Sequence, residues 1–203
     1  MPESDWKADR KSGMGAIAAS IATSLVLWFV LNRYLPPLSG MDDVGARMIV
    51  ALKCIVVATL FCLVAGVEAV AHERLQSNAF DPLQGHETRR LRVNLRYLQN
   101  TLEQTIVFGV ALFGLAYYMD SDSSMRAVVA ATIIWILNRF AFWIGYHRSA
   151  AMRGLGAPSM AMSLIVLLYV VARIGDDLGG TAGMVVLLGL YFALEAVLFW
   201  KTR

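Results

Sequence analysis

The sequence predicts an all-α polytopic membrane bundle of six transmembrane helices, and three observations carry that reading. Of 203 residues, 58% are hydrophobic and only 16% are charged, whereas a soluble domain carries about a quarter charged. The apolar residues gather into long runs that lack the period of two a strand requires. Basic residues concentrate on alternate loops between those runs, the pattern that orients a helical bundle in a bilayer.

The elements follow in order. Residues 1–13 are polar and basic (Lys7, Arg10, Lys11), and the first apolar run is Met14 to Tyr34. Tyr34, Leu35 and Pro36 follow it where a cleaved signal peptide would show small residues, so it reads as a retained transmembrane helix. Pro36-Pro37 ends it, and Asp42-Asp43 makes a short acidic loop. The second run, Met48 to Ala71, holds both cysteines, Cys54 and Cys62, at a spacing that suits neither a mutual disulfide nor a metal. Four more runs are Asn94 to Met119, Ala127 to His147, Pro158 to Ile174 and Gly183 to Trp200. Gly179-Gly180 supplies the turn between the last two.

Charge gives orientation and excludes some functions. With six alternating helices, 12 of the 18 Lys and Arg residues fall on the face of the two termini, Lys7, Arg89, Arg148, Lys201 and Arg203 among them. Four fall on the other face (Arg33, Arg47, Arg126, Arg173), which also carries Asp120, Asp122, Asp176 and Asp177. The positive-inside rule makes both termini cytoplasmic, in the plasma (inner) membrane if the chain is bacterial. A net charge of +3 without basic-aromatic clustering argues against nucleic acid. His72, His86 and His147 have no partner spacing, so no metal site is expected.

Two polar stripes carry the chemistry. Arg96, Asn100 and Glu103 stand at i, i+4 and i+7, on one helix face. A carboxylate inside hydrocarbon costs several kcal/mol unless paired or hydrogen-bonded. Arg139 lies at matching depth on the next, antiparallel helix, roughly 13 Å in at 1.5 Å per residue, so a buried Glu103–Arg139 pair is expected. Tyr146 lies two turns from Arg139 on the same face, and Arg148 and Arg153 crowd that membrane surface. A packing device needs one ion pair. This set is a cationic funnel with amide and phenol groups, suited to a small anionic polar ligand.

The segment Arg96-x-x-x-Asn100-x-x-Glu103, followed by Phe108, resembles the second-helix signature of the MAPEG family, the membrane-associated proteins of eicosanoid and glutathione metabolism. Asn138-Arg139-Phe140-Ala141-Phe142-Trp143-Ile144-Gly145-Tyr146-His147-Arg148, continued to Arg153, is similar to the third-helix segment of its microsomal glutathione transferase and leukotriene C4 synthase-like members. The resemblance covers roughly Met48 to Ile174. It implies a homotrimer of four-helix subunits with glutathione, as co-substrate, bound between neighbours. It divides the chain into residues 1–47, a tail with an additional transmembrane helix, and residues 48–203, a MAPEG-like membrane domain ending in an extra C-terminal helix. By position, Arg96, Asn100, Glu103, Arg139 and Tyr146 would bind glutathione, and Arg153 would stabilise its thiolate. Arg74 resembles a further family arginine. Gln104 and Phe142 stand where close members often place tyrosines.

Two readings follow from the resemblance. One is a glutathione transferase, or peroxidase, acting on a lipophilic electrophile. The other is a non-catalytic membrane binding or scaffold protein that keeps the trimer and its buried ion pairs.

Overall fold

A computed structural model of the chain describes residues 3–202, with side chains from residue 8 onward. Arg203 and the side chain of Lys7, two of the cations in the orientation argument, lie outside the described residues. Helices and loops make up the described residues, with no strand among them. Among the described residues, five helices are long and apolar enough to cross a membrane.

Helix α1 spans Glu3–Tyr34 and starts eleven residues before the apolar run. An established helix extends cheaply into flanking Asp, Lys, Arg and Ala residues, so the polar tail expected from composition is the first part of this helix. Helix α2 spans Val44–Leu75. The Asp43 carboxylate caps it by accepting the Ala46 N–H at 2.8 Å. A wider π turn interrupts it at Thr59–Val64. There the Tyr97 hydroxyl donates to the Cys62 carbonyl at 3.0 Å, filling an acceptor in the loosened ladder. Helix α3 spans Arg89–Tyr118 and begins five residues before the expected Asn94, because the Thr88 hydroxyl accepts the Leu91 N–H at 3.0 Å. Helix α4 spans Arg126–Arg148, a 3₁₀ turn covers Ala151–Gly156, and helix α5 spans Ala157–Lys201.

Helix α5 is not straight. Its backbone leaves helical geometry at Gly179 and Gly180, and Gly180 has φ 60° and ψ −153°, a conformation open to glycine and strained for other residues. The chain reverses there: a Cβ on Gly175 would lie 2.7 Å from Met184 Cα, and one on Gly183 would overlap the Gly175 carbonyl. The glycine pair expected as a turn between two apolar runs is therefore a turn.

The core lies where α2, α3 and α4 meet. Phe108 stacks on Trp135 at 4.7 Å, and Leu112, Met125, Val128, Ala51 and Cys62 close around them. Loops collect at two ends. At one end the Leu38 N–H donates to Asp122 O at 3.1 Å, Met41 N–H to the Asp122 carboxylate at 2.7 Å, and Tyr118 OH to Asp177 at 2.6 Å. At the other end the Arg89 guanidinium donates to the carbonyls of His147 at 2.9 Å and Tyr146 at 3.4 Å. A cation there fills the free acceptors of a helix C-terminus.

Candidate functional site

Arg89 holds the C-terminal turn of α4 against the first turn of α3, and Asn94 locks the same corner from within. The Asn94 side-chain oxygen accepts the Trp143 indole N–H at 2.9 Å and stands 2.9 Å from His147 Nε2, while its amide donates to Ala69 O on α2 at 3.4 Å. Tyr97, one turn further along α3, stacks on Trp143 at 4.4 Å. This clamp sets the rotation of α3 against α4. It presents Arg96, Gln99, Asn100, Glu103 and Gln104 from α3 toward Arg139, Phe142 and Tyr146 from α4. The Ala151–Gly156 turn and the start of α5 complete a cavity of about 560 Å³ with Arg153, Gly156, Ser159 and Met160. That size lies within the range of small-ligand pockets, about 300–1,000 Å³.

Six of the seven residues singled out from the sequence line this cavity: Arg96, Asn100, Glu103, Arg139, Tyr146 and Arg153. The seventh, Arg74, sits at the C-terminal end of α2, outside the cavity of its own chain. Arg153 stands exposed at the mouth on its 3₁₀ turn.

The expected Glu103–Arg139 pair is not formed. Arg139 is 2% exposed and donates from Nη1 to Asn100 Oδ1 at 3.0 Å and from Nη2 to Thr101 Oγ1 at 2.8 Å. Its guanidinium also lies over the rings of Phe142 at 4.6 Å and Tyr97 at 5.5 Å. Hydrogen bonds to a charged group contribute about 1.5–3 kcal/mol each, and a desolvated cation over a ring roughly 2 kcal/mol. Together these offset much of the cost of burying the charge without a carboxylate, although Nε is buried with no partner. Rotation explains the difference: Thr101 lies about 200° around the helix from Glu103, so a guanidinium bridging Asn100 and Thr101 sits on the side of Asn100 turned away from Glu103. Depth was legible in the sequence, but rotation was not. Glu103 is exposed and accepts from the Gln99 amide at 3.4 Å, and Gln99 in turn accepts from Arg96 Nη1 at 3.2 Å.

Thr101 and Gln99 were not singled out from the sequence, and Gln104 was noted only as standing where close family members often place a tyrosine. Thr101 falls off the polar stripe and reads as a helix-packing residue. Gln104 is buried with its side-chain oxygen unpartnered, and it lines the cavity. Three guanidiniums, one carboxylate, three side-chain amides and one phenol thus surround one space. A ligand carrying carboxylates and an ammonium group finds complementary charges for both.

Compared with known protein families, residues 48–175 match the MAPEG family. No curated protein and no solved structure matches the chain.

Proposed function

The chain belongs to the MAPEG family, and from that premise we propose that it is a membrane-bound glutathione transferase of the microsomal glutathione transferase and leukotriene C4 synthase-like kind. The observation that carries the reading is the gathering of Arg96, Asn100, Glu103, Arg139, Tyr146 and Arg153 around one polar cavity. Glutathione offers two carboxylates, an ammonium group and two amides. Arg96 would take one carboxylate, the buried charge of Arg139 in the cavity wall would favour the second, Glu103 would take the ammonium, and Asn100, Gln104 and Tyr146 the neutral polar groups.

Arg153 at the mouth would meet the sulfur. A thiol of pKa about 8.5 is mostly protonated at neutral pH, and an adjacent guanidinium favours the thiolate. The thiol proton leaves to water. The thiolate then attacks the electrophilic carbon of a lipophilic substrate, forming a C–S bond as the leaving group departs with its bonding pair. Peroxidase activity would use the same thiolate: attack on the O–O bond of a lipid hydroperoxide releases the alcohol, and a second glutathione reduces the resulting sulfenic acid to the disulfide and water.

The same reading places six crossings in the membrane. The two limbs of α5, residues 157–178 and 181–201, are each about 30 Å long at 1.5 Å per residue, enough to span. Both termini then face the cytoplasm. Arg96, Gln99 and Glu103 form a charged, exposed strip on a helix otherwise lined by Leu102, Ile106 and Val110. Hydrocarbon against that strip is costly, so a second copy of the chain would cover it in a homotrimer. Arg74 would serve the site only from such a neighbour.

One observation favours the non-catalytic reading. Phe142 is committed to the face of Arg139 and supplies no hydroxyl, leaving Tyr146 as the phenol of the cavity. The test is a glutathione titration of the purified protein in detergent, following binding by calorimetry and the thiolate by ultraviolet difference absorbance. Binding with thiolate at neutral pH supports the transferase, and binding without it supports the non-catalytic protein.

A further inference from the structure

Helix α1 lies outside the residues that match the family, yet it packs directly behind the turn that carries Arg153. A Cβ on Gly154 would stand 2.9 Å from Gly13 O and 3.0 Å from Ile17 Cγ1. A Cβ on Gly13 would stand 3.4 Å from Ala151 O. The backbones of α1 and the turn therefore touch with no side chain between them. Further along, Ala16, Ser20 and Ser24 are buried on the same face of α1. Small residues at this spacing allow two membrane helices to approach closely. Buried Asn138 donates to Ser24 Oγ at 2.9 Å, and Arg126 Nη1 donates to Asn32 O at 3.3 Å. The fixings run from Gly13 to Asn32, about 28 Å along the helix, so α1 is anchored over the length of α4. On the other side of Arg153 a smaller cavity of about 370 Å³ separates the turn from Asp9, Arg10 and Met14. Arg153 thus stands in the wall between two cavities, with α1 forming the far wall of the second.

We propose that α1 is a positioning element for Arg153: its Gly13–Ile17 segment braces the Ala151–Gly156 turn and fixes where the guanidinium sits. A 3₁₀ turn is short, and its backbone hydrogen bonds have poorer geometry than those of an α-helix. On its own it does not hold a long exposed side chain to one place; α4 packs closely against one side of it, at Gly145 and Phe142, and the contact with α1 closes the other. The catalytic consequence rests on the transferase reading above, but the brace itself does not.

Two substitutions of the same kind on the same helix test it in the full chain. Gly13→Leu puts a branched side chain against the Ala151 backbone. Gly15→Leu is the control, because a Cβ there meets nothing within 4 Å. Gly154→Ala attacks the contact from the turn side. Hydrogen exchange of the peptide covering residues 149–156 reads the brace directly. Gly13→Leu and Gly154→Ala should quicken it by about tenfold or more, with Gly15→Leu at the wild-type rate. Unchanged exchange in both variants overturns the brace, whatever the protein catalyses. The second readout is bound glutathione. Gly13→Leu should leave its affinity within about threefold while raising the pH at which its thiolate forms and lowering kcat by roughly 10- to 100-fold. Quickened exchange with an unchanged thiolate titration overturns the positioning of Arg153. If the wild-type protein itself forms no thiolate, the transferase reading falls, and the exchange result alone decides the brace.

Discussion

A guanidinium held by neutral oxygens and ring faces responds to mutation differently from one held by a carboxylate, and Arg139 is of the first kind. Arg139→Met should be strongly coupled to Thr101→Val, by about 0.5–3 kcal/mol in a double-mutant cycle on thermal melting, because each change strands the other's polar group. The cycle with Glu103→Gln should instead be additive within about 0.5 kcal/mol. A large Glu103–Arg139 coupling would restore the ion pair that helical spacing suggests. Binding and activation should separate at two other arginines. Arg153→Ala should keep glutathione affinity and lose the thiolate absorbance at neutral pH, whereas Arg96→Ala should weaken binding and recover the thiolate at high glutathione. Equal loss of both properties in both variants would remove the assigned division of roles. The stripes were legible because helical period alone places Arg96, Asn100 and Glu103 on one face. Thr101 was not, since its role depends on which side of α3 meets α4, and no period within one helix carries that.

At the scale of elements, the bilayer-length runs marked the helices, and their ends shifted only where a cap or a continuing helix decided them. Thr88 starts α3 ahead of its apolar stretch, and α1 runs back through its polar residues to Glu3. The π turn at Thr59–Val64 had no sequence mark of its own, because its carbonyl is taken up by a tyrosine from another helix. Tyr97→Phe should therefore lower stability by about 0.5–1.5 kcal/mol, the worth of one hydrogen bond, while the ring keeps its stack on Trp143. The reversal in α5 gives a sharper contrast. Gly180→Ala forces a side chain into positive φ and should cost about 1–3 kcal/mol. Gly179→Ala, at φ −155°, should cost less. Melting of the two variants in detergent distinguishes a turn fixed by backbone geometry from one placed by membrane thickness alone, which would tolerate both.

The whole molecule sorts its loops to two ends, as alternating helices require, and the positive-inside rule leads us to expect the basic end in the cytoplasm. Reporter fusions at Gly40 and Asp122 should read as external and one at Gly85 as cytoplasmic; a cytoplasmic signal at Gly40 would remove α1 as a crossing. Assembly was less legible, because a helix face that meets a second copy and one that meets lipid can both be apolar. Polarity provides the clue: the Arg96–Gln99–Glu103 strip is exposed on one chain, and Arg74 lies outside that chain's own cavity. If sites form between neighbours in a closed ring, Arg74→Ala and Arg96→Ala should each weaken glutathione binding at every site of a pure assembly. Co-expression of the two variants should restore it. An interface that takes Arg96 from one chain and Arg74 from the next is intact in about one case in four under random assortment. Calorimetric titration of the mixed protein should then show about a quarter of the wild-type sites at wild-type affinity. No recovery in the mixture would place both arginines in one chain's site, and full binding by the Arg74→Ala assembly would remove Arg74 from the site altogether.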